Sequence, residues 1–133
     1  MYNHPTAAEL IAAARMQLEQ HVIPSIAEPR LRFQTLVAAN VLAIVERELA
    51  TGEVHLAAAW QRATSLLGDT SNPPCGEALR AAVAAQARQL CAEIRAGVYD
   101  EAPQQTALLA HLRHTAEEEL AVANPRFLER MRG

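Results

Sequence analysis

The sequence predicts an all-α fold: a single domain over residues 1–133, formed by one bundle of about five helices and a short C-terminal helix. Apolar residues recur at helical spacing, and no segment alternates apolar and polar residues as a strand would. The 28 alanines favour helices, because alanine loses no side-chain entropy on helix formation. Only five residues are aromatic, so the core must be mainly aliphatic. The length suits one domain.

The first two helices are predicted from their caps and their apolar content. Thr6 and Glu9 have the spacing of a capping box, and Pro24 ends helix 1 at the latest. Helix 2 runs from about 30 to 50, and Gly52 follows as its C-terminal glycine. This helix is apolar on nearly every side, so we expect it at the centre of the bundle, covered by other helices. Its predicted buried faces contain Phe33, Val37, Val41 and Ile44, and Leu31, Leu42, Val45 and Leu49.

The remaining helices follow from the same periodicity and from the loop-forming residues between them. Residues 68–74 are rich in Gly, Asp, Ser, Asn and Pro and predict the longest loop. Gly97 predicts another helix end, and Asn124 with Pro125 predicts the cap and first residue of the last helix. The helices between these signals are expected at about 53–67, 76–96 and 104–123.

Charge and composition argue against several classes of function. All twelve basic residues are Arg, and the formal net charge is −3, whereas a general nucleic-acid binder needs a basic excess. Two cysteines are too few for a disulfide framework or a zinc site. We see no signal peptide and no apolar run long enough to span a membrane, and we expect a cytoplasmic protein.

Polar residues in helix 2 are the first candidates for a functional contact. Asn40 lies between Val37 and Ile44, where a buried amide must find partners; it either ties the helices in register or meets a ligand. Arg47 precedes Glu48, which shares the apolar side of the helix. A carboxylate there can be a tuned acid or base, although pairing with an Arg is the more common arrangement.

Predicted helix 4 has an arginine strip opposite its apolar stripe. Arg80, Arg88 and Arg95 are separated mostly by alanines, so the strip could meet acidic side chains or phosphate groups. An ordinary exposed face, assisted by Glu77 and Glu93, is the alternative that we favour from the sequence alone. Small residues between the arginines nevertheless make a flat surface suited to a protein partner.

Two histidines follow in predicted helix 5. His111 and His114 are three residues apart, with Glu118 four residues further, a spacing that permits metal binding. No third ligand is evident, so we expect a solvated face and no metal. The sequence also contains no nucleophile motif and no phosphate-binding glycine loop, so we expect no cofactor and favour a non-enzyme.

Two phrases, LRFQTLVAANVLAIVERELA and AVANPRFL, resemble a bacterial family of small helical proteins described as a domain of unknown function. GVYD, which contains Tyr99, and Arg126 in the second phrase also match. The resemblance covers roughly residues 30–128. It implies a gene encoded beside aminoglycoside-phosphotransferase-like kinases and acyl-CoA dehydrogenases, and a protein similar to the accessory subunit of a kinase acting on hydroxyacyl-CoA thioesters. It implies no catalytic residues.

Three hypotheses follow from these observations. We expect a non-catalytic interaction protein that supports a phosphotransferase-like kinase in acyl-CoA metabolism. The second is a small-molecule bundle that holds an acyl thioester in an internal pocket with Asn40, Glu48, Trp60 and Tyr99, and the third is a small enzyme. The alanine-rich surfaces of helices 1 and 4 also allow self-association into a homo-oligomer. The contact candidates are Asn40, Arg47, Glu48, Tyr99, Arg80, Arg88, Arg95 and Arg126.

Overall fold

A computed structural model describes residues 4–133 and gives an all-α protein, as the sequence predicts. No residue in this range belongs to a strand. The α-helices are α1 (Ala7–Gln17), α2 (Pro29–Leu67), α3 (Gly76–Arg95), α4 (Gln104–Ala123) and α5 (Pro125–Arg132). None of the helices in this part of the chain has both the length and the apolar character needed to cross a bilayer.

The caps at three helix ends confirm the local sequence signals. The Thr6 hydroxyl accepts from the Glu9 amide at 3.2 Å, and the Glu9 carboxylate accepts from the Thr6 amide at 2.6 Å. Asn124 caps α5 by accepting from the Phe127 amide at 3.1 Å. Gly97 ends α3 with φ +82°, and the Gly97 and Val98 amides donate to carbonyls of the last turn. These are the bonds of a glycine-terminated helix.

The first helix ends as an α-helix earlier than Pro24. A π-helical segment, Leu18–Val22, follows α1, and a 3₁₀ turn covers Ile23–Ser25. Pro24 lacks an amide hydrogen, and its ring crowds the carbonyl four residues earlier, so the α-helical bonding pattern cannot continue through it.

The predicted break at Gly52 is wrong, because helices 2 and 3 of the sequence prediction are one helix, α2. A C-terminal glycine cap needs a left-handed residue, and the described glycines with positive φ are Gly68, Gly76 and Gly97. Gly68 is the residue that ends α2: the following Asp69 amide donates to the Thr64 carbonyl at 3.1 Å. The Glu28 carboxylate caps the other end by accepting from the Arg30 and Leu31 amides.

The chain divides into two compact units, one ending at Gly52 and the other beginning at Glu53. In the first unit, Arg15 of α1 donates to Glu46 of α2 at 2.9 Å. Ile23 and Ala39 are its buried hydrophobic residues among those described. Most apolar side chains of residues 31–49 are exposed, so the prediction of a covered, central helix 2 is wrong for this segment.

The second unit contains the main hydrophobic core. Ala63 of α2, Leu90 of α3, Tyr99 of the connecting turn and Leu108 of α4 form one buried cluster, with Leu66 and Leu67 packed against it. Trp60, Leu79, Val122 and Leu128 are also buried. Three helices and one turn therefore share this core, which fixes the side chains that α2 and α4 present to each other.

Candidate functional site

The polar candidates of the first unit lie mainly on the surface. Asn40 is exposed, so the prediction of a buried amide is wrong. Arg47 is half-buried and Glu48 is exposed. The Glu48 carboxylate folds back over Gly52, where its Oε1 lies 2.7 Å from the position that a Cβ at residue 52 would occupy. An internal pocket containing Asn40 and Glu48 is therefore excluded, although Trp60 and Tyr99 are buried.

An apolar surface runs along the same part of α2. Its five side chains recur every four residues, and all are exposed, from 37% for Val45 to 66% for Phe33. Residues four apart are neighbours on one side of a helix, so the five form a continuous ridge. We call this ridge the α2 apolar arc; it consists of Phe33, Val37, Val41, Val45 and Leu49.

The arginine strip lies on α3, which corresponds to predicted helix 4. Arg80, Arg88 and Arg95 are exposed, and Ala81, Ala84, Ala85 and Ala92 around them are exposed too. The opposite side of α3 carries the buried Leu79, Gln86 and Leu90. We call the three arginines and four alanines the α3 arginine face.

The acidic residues near this face leave its arginines largely unneutralised. The nitrogen–oxygen distance between Arg80 and the Glu77 carboxylate is 3.9 Å, which is long for an ion pair. Glu93, the other acid on α3, accepts from the Tyr99 hydroxyl at 2.9 Å and from the Gln89 amide at 3.2 Å. Its carboxylate is therefore occupied by residues of its own unit.

Tyr99 and Arg126, the remaining candidates, differ in their surroundings. Tyr99 is part of the core, and only its hydroxyl reaches a polar partner, Glu93. Burial, followed by the nearby Glu93 carboxylate, raises the pKa of Tyr99, so its hydroxyl is a hydrogen-bond donor at neutral pH. Arg126 is exposed on α5, beside the cap Asn124.

A polar cluster that could not be recognised as a whole from the sequence joins α2 and α4. We call it the Arg62 cluster; it consists of Arg62, His111, Thr115 and Glu118. Two nitrogens of Arg62 donate to the two carboxylate oxygens of Glu118, at 2.9 and 2.6 Å. The same guanidinium lies 3.4 Å from the Thr115 hydroxyl, which donates to the His111 carbonyl. About a quarter or less of each ion-pair side chain is exposed. This two-point contact fixes the rotation of α4 relative to this part of α2.

His111 lies beside this ion pair and is partly buried, so the prediction of a solvated face is wrong for it, whereas His114 is exposed. Burial and the nearby Arg62 guanidinium lower the pKa of His111. The lowered pKa favours the neutral imidazole. The Nδ1 atom of His111 and the Nε atom of Arg62 are buried without a hydrogen-bond partner in residues 4–133.

A surface groove of about 340 Å³ opens beside the cluster. Its wall is mainly apolar, and polar side chains of both helices border it, an arrangement that suits a largely apolar ligand. The residues around it are Arg62, Ser65, Leu66, Ala107, Ala110, His111 and His114.

Gln86 is a second buried polar group that sequence reasoning missed. Its amide nitrogen donates to the Thr64 hydroxyl at 2.9 Å and lies 3.5 Å from the Trp60 carbonyl, whereas its oxygen has no partner in the described chain. The contact ties α3 to α2 inside the second unit.

One sequence signal could have indicated the Arg62 cluster. His111, Thr115 and Glu118 recur at helical spacing and define one face of α4.

The comparison with known families explains the two matching phrases. A family described as a domain of unknown function, DUF6285, matches residues 24–127. The chain belongs to the DUF6285 family. The DUF6285 region contains the α2 apolar arc, the α3 arginine face and the Arg62 cluster, and it excludes α1. No curated protein and no solved structure matches this chain.

Metal chemistry finds no support in the described part of the DUF6285 chain. Within residues 4–133, no three His, Cys, Asp or Glu side chains are grouped so that they could hold a metal ion. His111, His114 and Glu118 share a helix, but Glu118 is already held by Arg62.

Proposed function

We propose that this protein is a non-catalytic accessory subunit that binds and supports a phosphotransferase-like kinase in acyl-CoA, hydroxy acid, metabolism. The partner is the one that the family resemblance implies. The α3 arginine face is the observation that supports this proposal best, because it combines small alanine side chains, exposure and largely unneutralised positive charge.

The chemistry of the α3 arginine face defines what the kinase must offer. Each guanidinium can form two parallel hydrogen bonds with one carboxylate, and the alanines let a partner's backbone approach closely. The Glu93 carboxylate already accepts hydrogen bonds from Tyr99 and Gln89, so it is not the counter-charge that would neutralise the arginines of this face. We therefore expect an acidic surface on the kinase.

Co-purification with the phosphotransferase-like kinase that the resemblance implies tests the proposal. The R88E/R95E variant should bind the kinase at least about tenfold more weakly, a loss of about 1.4 kcal/mol. The R32E/R113E variant makes the same change in net charge on α2 and α4 and should bind like the unmodified protein. We expect kinase activity to fall when this subunit is omitted. No association, or equal weakening by both variants, would refute the proposal.

The groove beside Arg62 favours a second function, the binding of an acyl thioester. Its volume of about 340 Å³ lies within the usual range of ligand sites, and its wall is mainly apolar with a few polar groups. Acyl-CoA compounds should then raise the melting temperature of the unmodified protein. L66W, which would fill the groove, should abolish that rise, while V98W, at an exposed position outside it, should not. If acyl-CoA compounds leave the melting temperature of the unmodified protein unchanged, this function is excluded.

A further inference from the structure

The α2 apolar arc is an extended surface that the other described residues of the first unit leave exposed. From Phe33 to Leu49 it spans 16 residues, or about 24 Å at the rise of an α-helix. Contiguous apolar surface of this kind is uncommon on monomeric proteins and marks a site of association. Its occupant must be elongated and apolar along its middle, because the arc follows one helix.

Two charged residues of opposite sign lie at the ends of the arc. Arg30 and Glu48 are 18 residues apart, which is five turns of helix, so they project on the same side and about 27 Å apart. Both are exposed. Neither side chain is in an ion pair within residues 4–133, since the Glu28 bond to Arg30 uses the backbone amide of Arg30. The positive charge of Arg30 at one end and the negative charge of Glu48 at the other therefore distinguish the two ends of the arc.

We propose that the occupant is a second copy of this chain, packed antiparallel on the arc about a two-fold axis at the level of Ala39. This symmetry places Phe33 of one copy against Val45 of the other, and Val37 against Val41. It also places Arg30 against Glu48 twice, once at each end. A two-fold interface uses the same patch on both subunits, so the patch must be self-complementary, and this one is.

The charges decide between the two directions in which the helices could pair. A parallel pair would place Arg30 against Arg30 and Glu48 against Glu48, and like charges in register repel. The end ion pairs remain close to water, so they select the direction more than they increase affinity. One helix face is smaller than the roughly 800 Å² per partner of a standard interface, so dimerisation should depend on protein concentration.

Mixed disulfide formation tests the direction of pairing. R30C and E48C are prepared separately in a C75S/C91S background, since both natural cysteines are exposed and would otherwise react. Oxidising the mixture should join one R30C chain to one E48C chain, because the antiparallel pair brings these positions together. Each variant oxidised alone should stay uncross-linked, because its two cysteines lie about 27 Å apart. Cross-linking of either variant with itself would overturn the antiparallel arrangement.

Solution mass tests the surface itself. Sedimentation equilibrium should show the chain of 14.5 kDa passing to twice that mass as its concentration rises. V41R should stay monomeric, whereas V54R should dimerise normally, since Val54 is also exposed on α2 but lies off the arc. The proposal would be overturned if the protein stayed monomeric at every concentration or if V41R and V54R had equal effects. It would also be overturned if the arc were shielded from solvent only when the kinase is present. R88E/R95E should remain dimeric, so the kinase contact and the dimer can fail independently.

Discussion

At the scale of single residues, the contact between Arg62 and Glu118 shows how a polar pair can organise an alanine-rich protein. Alanine faces pack closely but interlock poorly, so they specify rotation weakly. A guanidinium with both carboxylate oxygens in reach, at 2.9 and 2.6 Å, specifies it strongly. The groove beside Arg62 is formed by the two helices that this pair holds together.

R62M should destabilise the protein by about 1–3 kcal/mol, because it leaves a largely buried carboxylate without its charged partner. R113M is the matched control: Arg113 also pairs with a glutamate on α4, but its side chain is 80% exposed. We expect R113M to change stability by no more than about 0.5 kcal/mol. Urea unfolding of the three proteins measures the difference, and equal losses would show that the Arg62 pair is an ordinary surface contact.

His111 should make the protein less stable in mild acid. Its pKa is lowered in the folded protein, first by burial and then by Arg62, whereas the unfolded chain has an imidazole pKa of about 6.5. Below that pH the unfolded state binds more protons than the folded state, so the free energy of unfolding falls as the pH drops. The contribution is fully present above about pH 7 and is lost progressively between that pH and the lower folded pKa.

The control for His111 is its exposed neighbour. H111Q should remove part of the decrease in unfolding free energy between pH 7 and pH 5, while H114Q should retain the decrease of the unmodified protein. Urea titrations at the two pH values measure both. The same pH dependence in all three proteins would contradict the burial of His111.

At the scale of elements, glycines show how far local signals reach. Gly97 and Gly52 both follow a long apolar helix in the sequence, and both predict a helix end. Gly97 ends one with φ +82°, whereas Gly52 lies within α2. The difference lies downstream: residues 53–67 have strong helix formers that extend α2, while the turn after Gly97 anchors Tyr99 in the core. A glycine in the sequence therefore does not predict a helix end by itself, because the outcome depends on contacts made by the residues that follow.

Substituting alanine at the two positions should have opposite effects. G52A should stabilise the protein by up to about 1 kcal/mol, because alanine favours a helix and the exposed Glu48 side chain can move away from the new Cβ. G97A should destabilise it by at least about 1 kcal/mol, because alanine is strained at this φ and its Cβ would lie 3.0 Å from an Asp100 oxygen. Urea unfolding compares them; loss of stability in G52A comparable to that in G97A would indicate a helix end at Gly52.

At the scale of the whole molecule, the helical class, the caps and the limits of α3 and α4 could be predicted because local residues determine them. The exposure of the apolar side chains in residues 30–50 could not be predicted from the sequence. A helix that is apolar all round must be covered, and the sequence does not say whether the cover comes from the same chain or another one. The Arg62 cluster was missed for a related reason: its members come from α2 and α4, whose pairing depends on tertiary structure.

We propose a kinase as the partner of the α3 arginine face and a second copy of the chain as the partner of the α2 apolar arc. Both surfaces lie inside the DUF6285 region, which also contains the groove beside Arg62. The proposals for the two surfaces differ in chemistry, one being charged and the other apolar, so salt should weaken the first more than the second.

Solvent access to valine methyl groups, measured by NMR with a soluble paramagnetic agent, tests the central claim most directly. As the protein concentration rises, the methyl groups of Val37 and Val41 should become protected, while those of Val54, 70% exposed on the same helix, should stay accessible. Equal access at all three positions and at every concentration would contradict the claim that the α2 apolar arc is an interface.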